Sequence, residues 1–337
     1  MMMLRKYVWK GTEMVEQTAI AKLIDTAADE AQFDDCVKKL LANRLILAWI
    51  MKECVDEFKQ FPIERIAKEC IEGEVQISEV AVDQDELDYL EEIADKSIEG
   101  LSTEDNSIKE GKVIYDIRFS AIVPDTNEPV QLIINIEAQK DDNTPYPLIK
   151  RAIYYVSRMI SAQKNKVFVK KHYEKIRKVY SIWLQMSVAE KRANTITKYR
   201  IAEEQIVGDV KEKEANYDLL SILILRLGAA DKANAQPILR LLDVLLSIDT
   251  KTDEKKAILE KDFDIPMSAE MCEEANIMCN LGEGIRERTE LKTKAQLIID
   301  LMDSMGINVE KAMELLKIKQ DDKEVCRQSV GALLALK

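Results

Sequence analysis

Apolar side chains recur at three- and four-residue steps from Phe33 to Gln60, at Val37, Leu40, Leu41, Leu45, Ala48, Met51, Val55 and Phe58. That period predicts a helix over the stretch. Pro62 stops it, and a second short helix is expected over residues 63–71. Residues 72–110 are strongly acidic and aperiodic, which reads as a surface excursion. The period then changes to two. Val113, Tyr115, Ile117, Phe119, Ala121 and Val123 share one face of a strand over 112–123, and Leu132, Ile134, Ile136 and Ala138 share one face of a strand over 130–139. Pro124-Asp-Thr-Asn-Glu-Pro129 between them is turn chemistry, so the pair is predicted to be a hairpin. After Pro147 the helical period returns through Leu148, Ile149, Ala152, Ile153, Val156, Met159 and Ile160. Strands are expected over 178–186 and 195–201, residues 218–227 fit strand or helix, and the chain reads as helical from about Ala235 onward. The order helix, strand, strand, helix, strand, strand defines an α/β core with a mixed sheet.

Two positions in that hairpin carry chemistry. The polar face of its first strand displays Asp116, Arg118 and Ser120, and that of the second displays Asn135, Glu137 and Gln139. If Val123 pairs with Val130, Asp116 lies directly opposite Glu137. Facing carboxylates destabilise a strand pair unless a positive charge sits between them. A hard divalent cation held by one or two carboxylates fills that role, with the Gln139 carbonyl oxygen on the same face. An amphipathic hairpin with one solvated face remains the other reading of the same spacing.

Charge changes the picture further. The 337 residues carry a net −12, but residues 140–200 hold 15 Lys and Arg against 4 Asp and Glu, a local +11 that leaves −23 for the remainder. A basic block of that size suits a phosphate-bearing partner, or a solvated lysine-rich surface. The cysteines (Cys36, Cys54, Cys70, Cys272, Cys279, Cys326) form no CxxC pair and His172 is the single histidine, so a closed zinc site and a histidine-based hydrolase are both disfavoured. Reduced thiols, the absence of a signal-like segment in residues 1–10 and a longest uncharged run of 11 residues (179–189) lead us to expect a cytoplasmic protein without a membrane span.

The residues also match a known pattern. Asp116 on one strand, Ile-Glu137-Ala-Gln139 on the next, and a following helix with Arg151 and Tyr154 resemble the PD-(D/E)XK nuclease superfamily. Asn-Arg-Leu-Ile-Leu-Ala-Trp-Ile-Met-Lys-Glu-Cys at 43–54, Tyr-Asp-Ile-Arg-Phe-Ser-Ala-Ile-Val at 115–123, Leu-Ile-Ile-Asn-Ile-Glu-Ala-Gln at 132–139 and Tyr-Pro-Leu-Ile-Lys-Arg-Ala-Ile-Tyr-Tyr at 146–155 look like bacterial PD-(D/E)XK nuclease family transposases, relatives of the recombination-promoting nuclease group. The likeness continues through 180–183, 194–197, 262–266 and 278–281.

The resemblance implies a restriction-endonuclease-like core over 33–206 and a mainly helical region over 207–337. It implies an Mg²⁺-dependent endonuclease (Mn²⁺ able to substitute) acting on DNA in mobile-element recombination. Asp116 and Glu137 would be the metal ligands, Gln139 would stand where the motif has lysine, and Glu53, with Glu57 as its rival, would be the acidic residue supplied by the opening helix. Lys150, Arg151 and Arg158 would grip DNA. Gln139 departs from the motif because an amide neither takes a proton nor carries the lysine's charge. A second reading therefore stays open, a catalytically degenerate fold that binds DNA or a protein partner. Residues 304–322 have helix–turn–helix flavour broken at Gly306 and Asn308, and the C-terminal helices are the candidate surface for homo-oligomers.

Overall fold

The computed structural model describes residues 6–10, 13–17, 19–77, 104–107, 111–114, 116–124, 129–137, 146–186, 188–228 and 236–334. In chain order the elements are β1 (Lys6–Lys10), β2 (Glu13–Gln17), α1 (Ala19–Leu41), α2 (Arg44–Cys54), α3 (Ile63–Arg65), β3 (Ile71–Ile77), β4 (Glu104–Ser107), β5 (Gly111–Ile114), β6 (Ile117–Ile122), β7 (Pro129–Glu137) and α4 (Leu148–Ser161). They continue with β8 (Val179–Gln185), β9 (Thr195–Arg200), α5 (Glu214–Tyr217), β10 (Leu220–Arg226), α6 (Pro237–Leu246), α7 (Thr252–Phe263), α8 (Ala269–Met305), α9 (Val309–Leu315) and α10 (Lys323–Leu334). No helix among the described residues is long and apolar enough to cross a membrane.

The chain divides into two compact units, Asp34–Asn276 and Met1–Phe33 with Ile277–Lys337. The first contains a six-stranded sheet in the order β3-β6-β7-β8-β10-β9. β7, β8 and β10 run parallel, while β3, β6 and β9 pair antiparallel with their neighbours, so the sheet is mixed. β8 and the last six residues of β10 are buried throughout, which is why they read as apolar runs without a period. The ambiguous stretch 218–227 is thus a strand, and it lies inside the sheet. The compact unit accordingly extends past the expected boundary at 206, through α6 and α7. One face of the sheet is covered by α4, whose Ala152, Tyr155, Val156 and Met159 pack on Val179, Trp183, Ile222 and Ile224.

Two further expectations change. The single helix from 33 is two helices, because the Asn43 side chain accepts hydrogen bonds from the Leu45 (2.9 Å) and Ile46 (3.4 Å) amides and caps α2 as α1 ends. The strand over 112–123 breaks in a bend at Asp116, so that β5 pairs with β4 while β6 pairs with β3 and β7. The turn residues 125–128 lie outside the described residues.

In the second unit α8, α9 and α10 close a small core of Ala295, Ile298, Ile299, Ala312, Met313, Cys326 and Val330. The expected break is present there. Gly306 takes a positive φ of 63°, which a side chain would resist, and Asn308 caps α9 by accepting from the Lys311 amide at 2.9 Å.

Candidate active site

The hairpin register differs from expectation by two residues. Ala121 pairs with Val130 and Ile117 with Ile134, which sets Asp116 level with Asn135 and Glu137 two residues further along β7. Direct opposition becomes a diagonal relation, for which regular sheets give about 7–8 Å. The shift arises because β6 ends at Ile122 and β7 begins at Pro129, two residues away from the pairing that the turn length suggested.

Asp116 is buried at the head of β6, and its charge is met by a helix. Lys38 on α1, 1% exposed, places its ammonium 3.1 Å from Asp116 Oδ1 and 2.7 Å from Asp34 Oδ2. Burial alone would pull the Lys38 pKa down, but attraction to Asp116 and then Asp34 holds it above the ordinary lysine range. Burial pushes the Asp34 carboxyl up, against the pull of Lys38. The helical acid tied to Asp116 is therefore Asp34, through Lys38. Sequence reasoning missed both residues. The available signal was Lys38 lying beside Val37 and Leu41 on the apolar arc of the helix, with Asp34 one turn before it.

The two acidic candidates of the opening helix region differ in their surroundings. Glu53 is half-buried near the end of α2. Glu57 accepts the Tyr180 hydroxyl at 2.6 Å and pairs with Lys178 at 2.9 Å, and Lys178 also pairs with Asp218. Tyr180 occupies the sheet face opposite to Ser181, Trp183 and Gln185. Burial and then the Glu57 charge push its phenol well above the ordinary range.

Glu137 ends β7, and its register partner on β8 is Gln185. The side chain of Glu137, and Gln139 entirely, lie outside the described residues. Among the described residues no group of three or more His, Cys, Asp or Glu stands together to hold a metal. One oxygen does fit a cation. Gln185 is 9% exposed, and its carboxamide oxygen is buried with no hydrogen-bond partner, beside the position of Glu137. Two carboxylates and a carboxamide oxygen are the donor chemistry that a hard divalent ion takes.

The expected DNA-binding residues divide. Lys150 is exposed on the first turn of α4. Arg151 is half-buried, its guanidinium 5.4 Å from the Tyr155 ring centre and 5.7 Å from that of Trp183, which fixes it one register row from Gln185. Arg158, only 4% exposed, turns inward over Tyr154. The basic block also splits. The exposed Lys164, Lys166, Lys170, Lys171 and Lys175 precede β8, whose first residue, Val179, lies about 20 Å from Gln185 at roughly 3.3 Å per residue.

A mixed sheet whose antiparallel β3-β6-β7 portion passes through the helix α4 to the parallel strand β8, with a buried carboxylate at the head of β6 and an acid at the end of β7, is a restriction-endonuclease-like core followed by a helical region. The PD-(D/E)XK nuclease family transposase profile matches residues 87–303, and the chain belongs to that family. The match begins after α2, so the likeness noted at 43–54 falls outside it. No curated protein and no solved structure matches the chain.

Proposed function

We propose that the chain is a cation-dependent endonuclease that hydrolyses DNA phosphodiester bonds during mobile-element recombination, with Mg²⁺ as the ion and Mn²⁺ able to replace it. The observation that carries this reading is Asp116, a carboxylate buried at the head of β6 and ion-paired with the Lys38 ammonium, one strand from Glu137. Asp116 and Glu137 would hold the cation, with the Gln185 oxygen as a further donor. When bound, the ion supplies a water of lowered pKa and polarises the phosphate.

The chain's own residues do the rest. Lys38 sets the orientation of Asp116 through its ion pair. Arg151, clamped on Tyr155 and Trp183, is pre-positioned to meet negative charge developing on the phosphate. Gln139 cannot accept the proton of an attacking water, so that proton leaves to solvent or to the substrate phosphate. Lys150 contributes sequence-independent attraction at the α4 end of the sheet. The unit Asp34–Asn276 is the catalytic one, and the cytoplasm, where DNA and reduced thiols coexist, is its place of action.

The test is nicking of supercoiled plasmid by purified protein at low salt in Mg²⁺, Mn²⁺ or EDTA. Nicking in either metal that EDTA abolishes is expected. Plasmid binding without nicking in both metals overturns the enzymatic reading in favour of a binding module.

A further inference from the structure

Sheet register puts Glu137, Gln185 and Arg226 in one row across β7, β8 and β10, at the carboxyl ends of three mutually parallel strands. Ligands of open α/β sheets gather outside such ends. Arg226 closes a strand that is apolar but for Ser221, Leu-Ser-Ile-Leu-Ile-Leu-Arg, and is 8% exposed. Its Nη1 donates to Thr197 Oγ1 at 3.0 Å, while its Nε is buried without a hydrogen-bond partner. Among the described residues no carboxylate pairs with it. A buried guanidinium with an open donor and no counter-ion is costly to fold unless an anion completes it. Beside it on the same face, the carboxamide oxygen of Gln185 is likewise buried and open. Neighbouring strands lie about 4.8 Å apart, so the Arg226 position stands roughly 10 Å from that of Glu137. A phosphate group and a hydrated cation fit side by side in that span.

We infer that Arg226 is a substrate-binding residue: its guanidinium takes a non-bridging oxygen of a DNA backbone phosphate, presenting that phosphate to the cation held at Glu137 and Gln185. This rests on the nuclease reading above, and it adds the anion half of the site. Arginine suits the task because its rigid fork can give Nε–H and Nη–H to one phosphate together. Thr197 holds the fork in place, and Trp183 and Ile224, one row back, exclude water from behind it. The row thus places a cation site and an anion site on adjacent strands.

The experiment measures duplex binding against salt concentration, in EDTA so that no cutting occurs, for wild type, Arg226→Met and Arg226→Lys. Each neutralised phosphate contributes about 0.9 to the slope of log affinity against log salt. Arg226→Met is expected to lower that slope by about 0.9. Arg226→Lys is expected to keep the slope, yet to nick plasmid at least tenfold more slowly because a point charge cannot reproduce the fork. A folded Arg226→Met with wild-type slope overturns the inference. If Arg226→Met does not fold, Arg226→Lys decides, and wild-type nicking by it overturns the inference. Wild-type protein that binds but never nicks defeats the nuclease reading alone, since the slope is read from binding. A wild type that does not bind duplex DNA overturns both.

Discussion

Replacing Lys38 by methionine tests the buried ion pair at Asp116. The side chains have similar volume, so the change removes an ammonium and leaves the packing. In the native unit that ammonium lies between two carboxylates, 3.1 Å from Asp116 and 2.7 Å from Asp34, and the first of these is buried. Removing one partner of a buried ion pair costs about 3–5 kcal/mol, because the remaining charge is stranded. For a unit of this size each kcal/mol moves the midpoint by about 2–4 °C, so the melting temperature is expected to fall by roughly 6–20 °C. Differential scanning calorimetry at low salt gives the number. The second arm is the double variant Lys38→Met/Asp116→Asn, which removes the stranded charge together with the ammonium and is expected to recover most of the loss, a coupling that a mutant cycle isolates. Millimolar Mg²⁺ is also expected to stabilise the single variant more than the wild type, since a cation can take the place of the ammonium. A loss below about 1 kcal/mol, the range of an exposed ion pair, refutes the reasoning, as does a double variant no better than the single.

Other consequences can be measured with the same protein. Tyr180→Phe removes a hydroxyl that donates to the Glu57 carboxylate at 2.6 Å, and urea denaturation is expected to show a loss of about 1.5–3 kcal/mol, with plasmid nicking unchanged because Tyr180 lies on the other sheet face. Burial pulls the Asp56 carboxyl up, but hydrogen bonds from Lys198 and Lys59 outweigh it and hold the group at about 2, below its ordinary 3.8. Its pairing therefore stabilises the fold above pH 4 and is lost as pH falls through 2. Asp56→Asn is expected to be less stable than wild type near neutral pH by at most about 1 kcal/mol, with the gap closing in acid melts. Burial also pushes the Cys36 and Cys54 thiols up to about 12, and Cys70 and Cys326 are buried too, so a thiol-disulfide exchange titration of native protein is expected to find only Cys272 and Cys279 reacting fast.

The amphipathic period of α4 and the turn-flanked strands β7 and β8 were readable because each is a local pattern whose burial on one or both faces is written in residue type. The Asn43 break was missed because the apolar stripe passes through it without interruption, and a cap is a single-residue event. The register of β6 against β7 depended on where each strand ended rather than on the turn sequence, and the two-residue difference kept every face assignment intact. The polar half of the site was harder to see. A lysine on a helix, a glutamine and an arginine at strand ends all read as solvent-facing, and only the packing of α1 and the sheet buries Lys38, Gln185 and Arg226. Asp116 and Glu137 stood out in the sequence because two carboxylates fall on the polar faces of adjacent expected strands. The pairing of Asp116 with Asp34 through Lys38 was not, since nothing in one sequence ties residue 38 to residue 116.

That one carboxylate site both holds a cation and cuts DNA can be tested by pairing calorimetric titration of Mg²⁺ with plasmid nicking for wild type, Asp116→Ala and Glu137→Ala. Wild type is expected to bind the ion and nick, while each variant loses both and still binds plasmid. Nicking that survives either substitution, or ion binding that survives both, would contradict it.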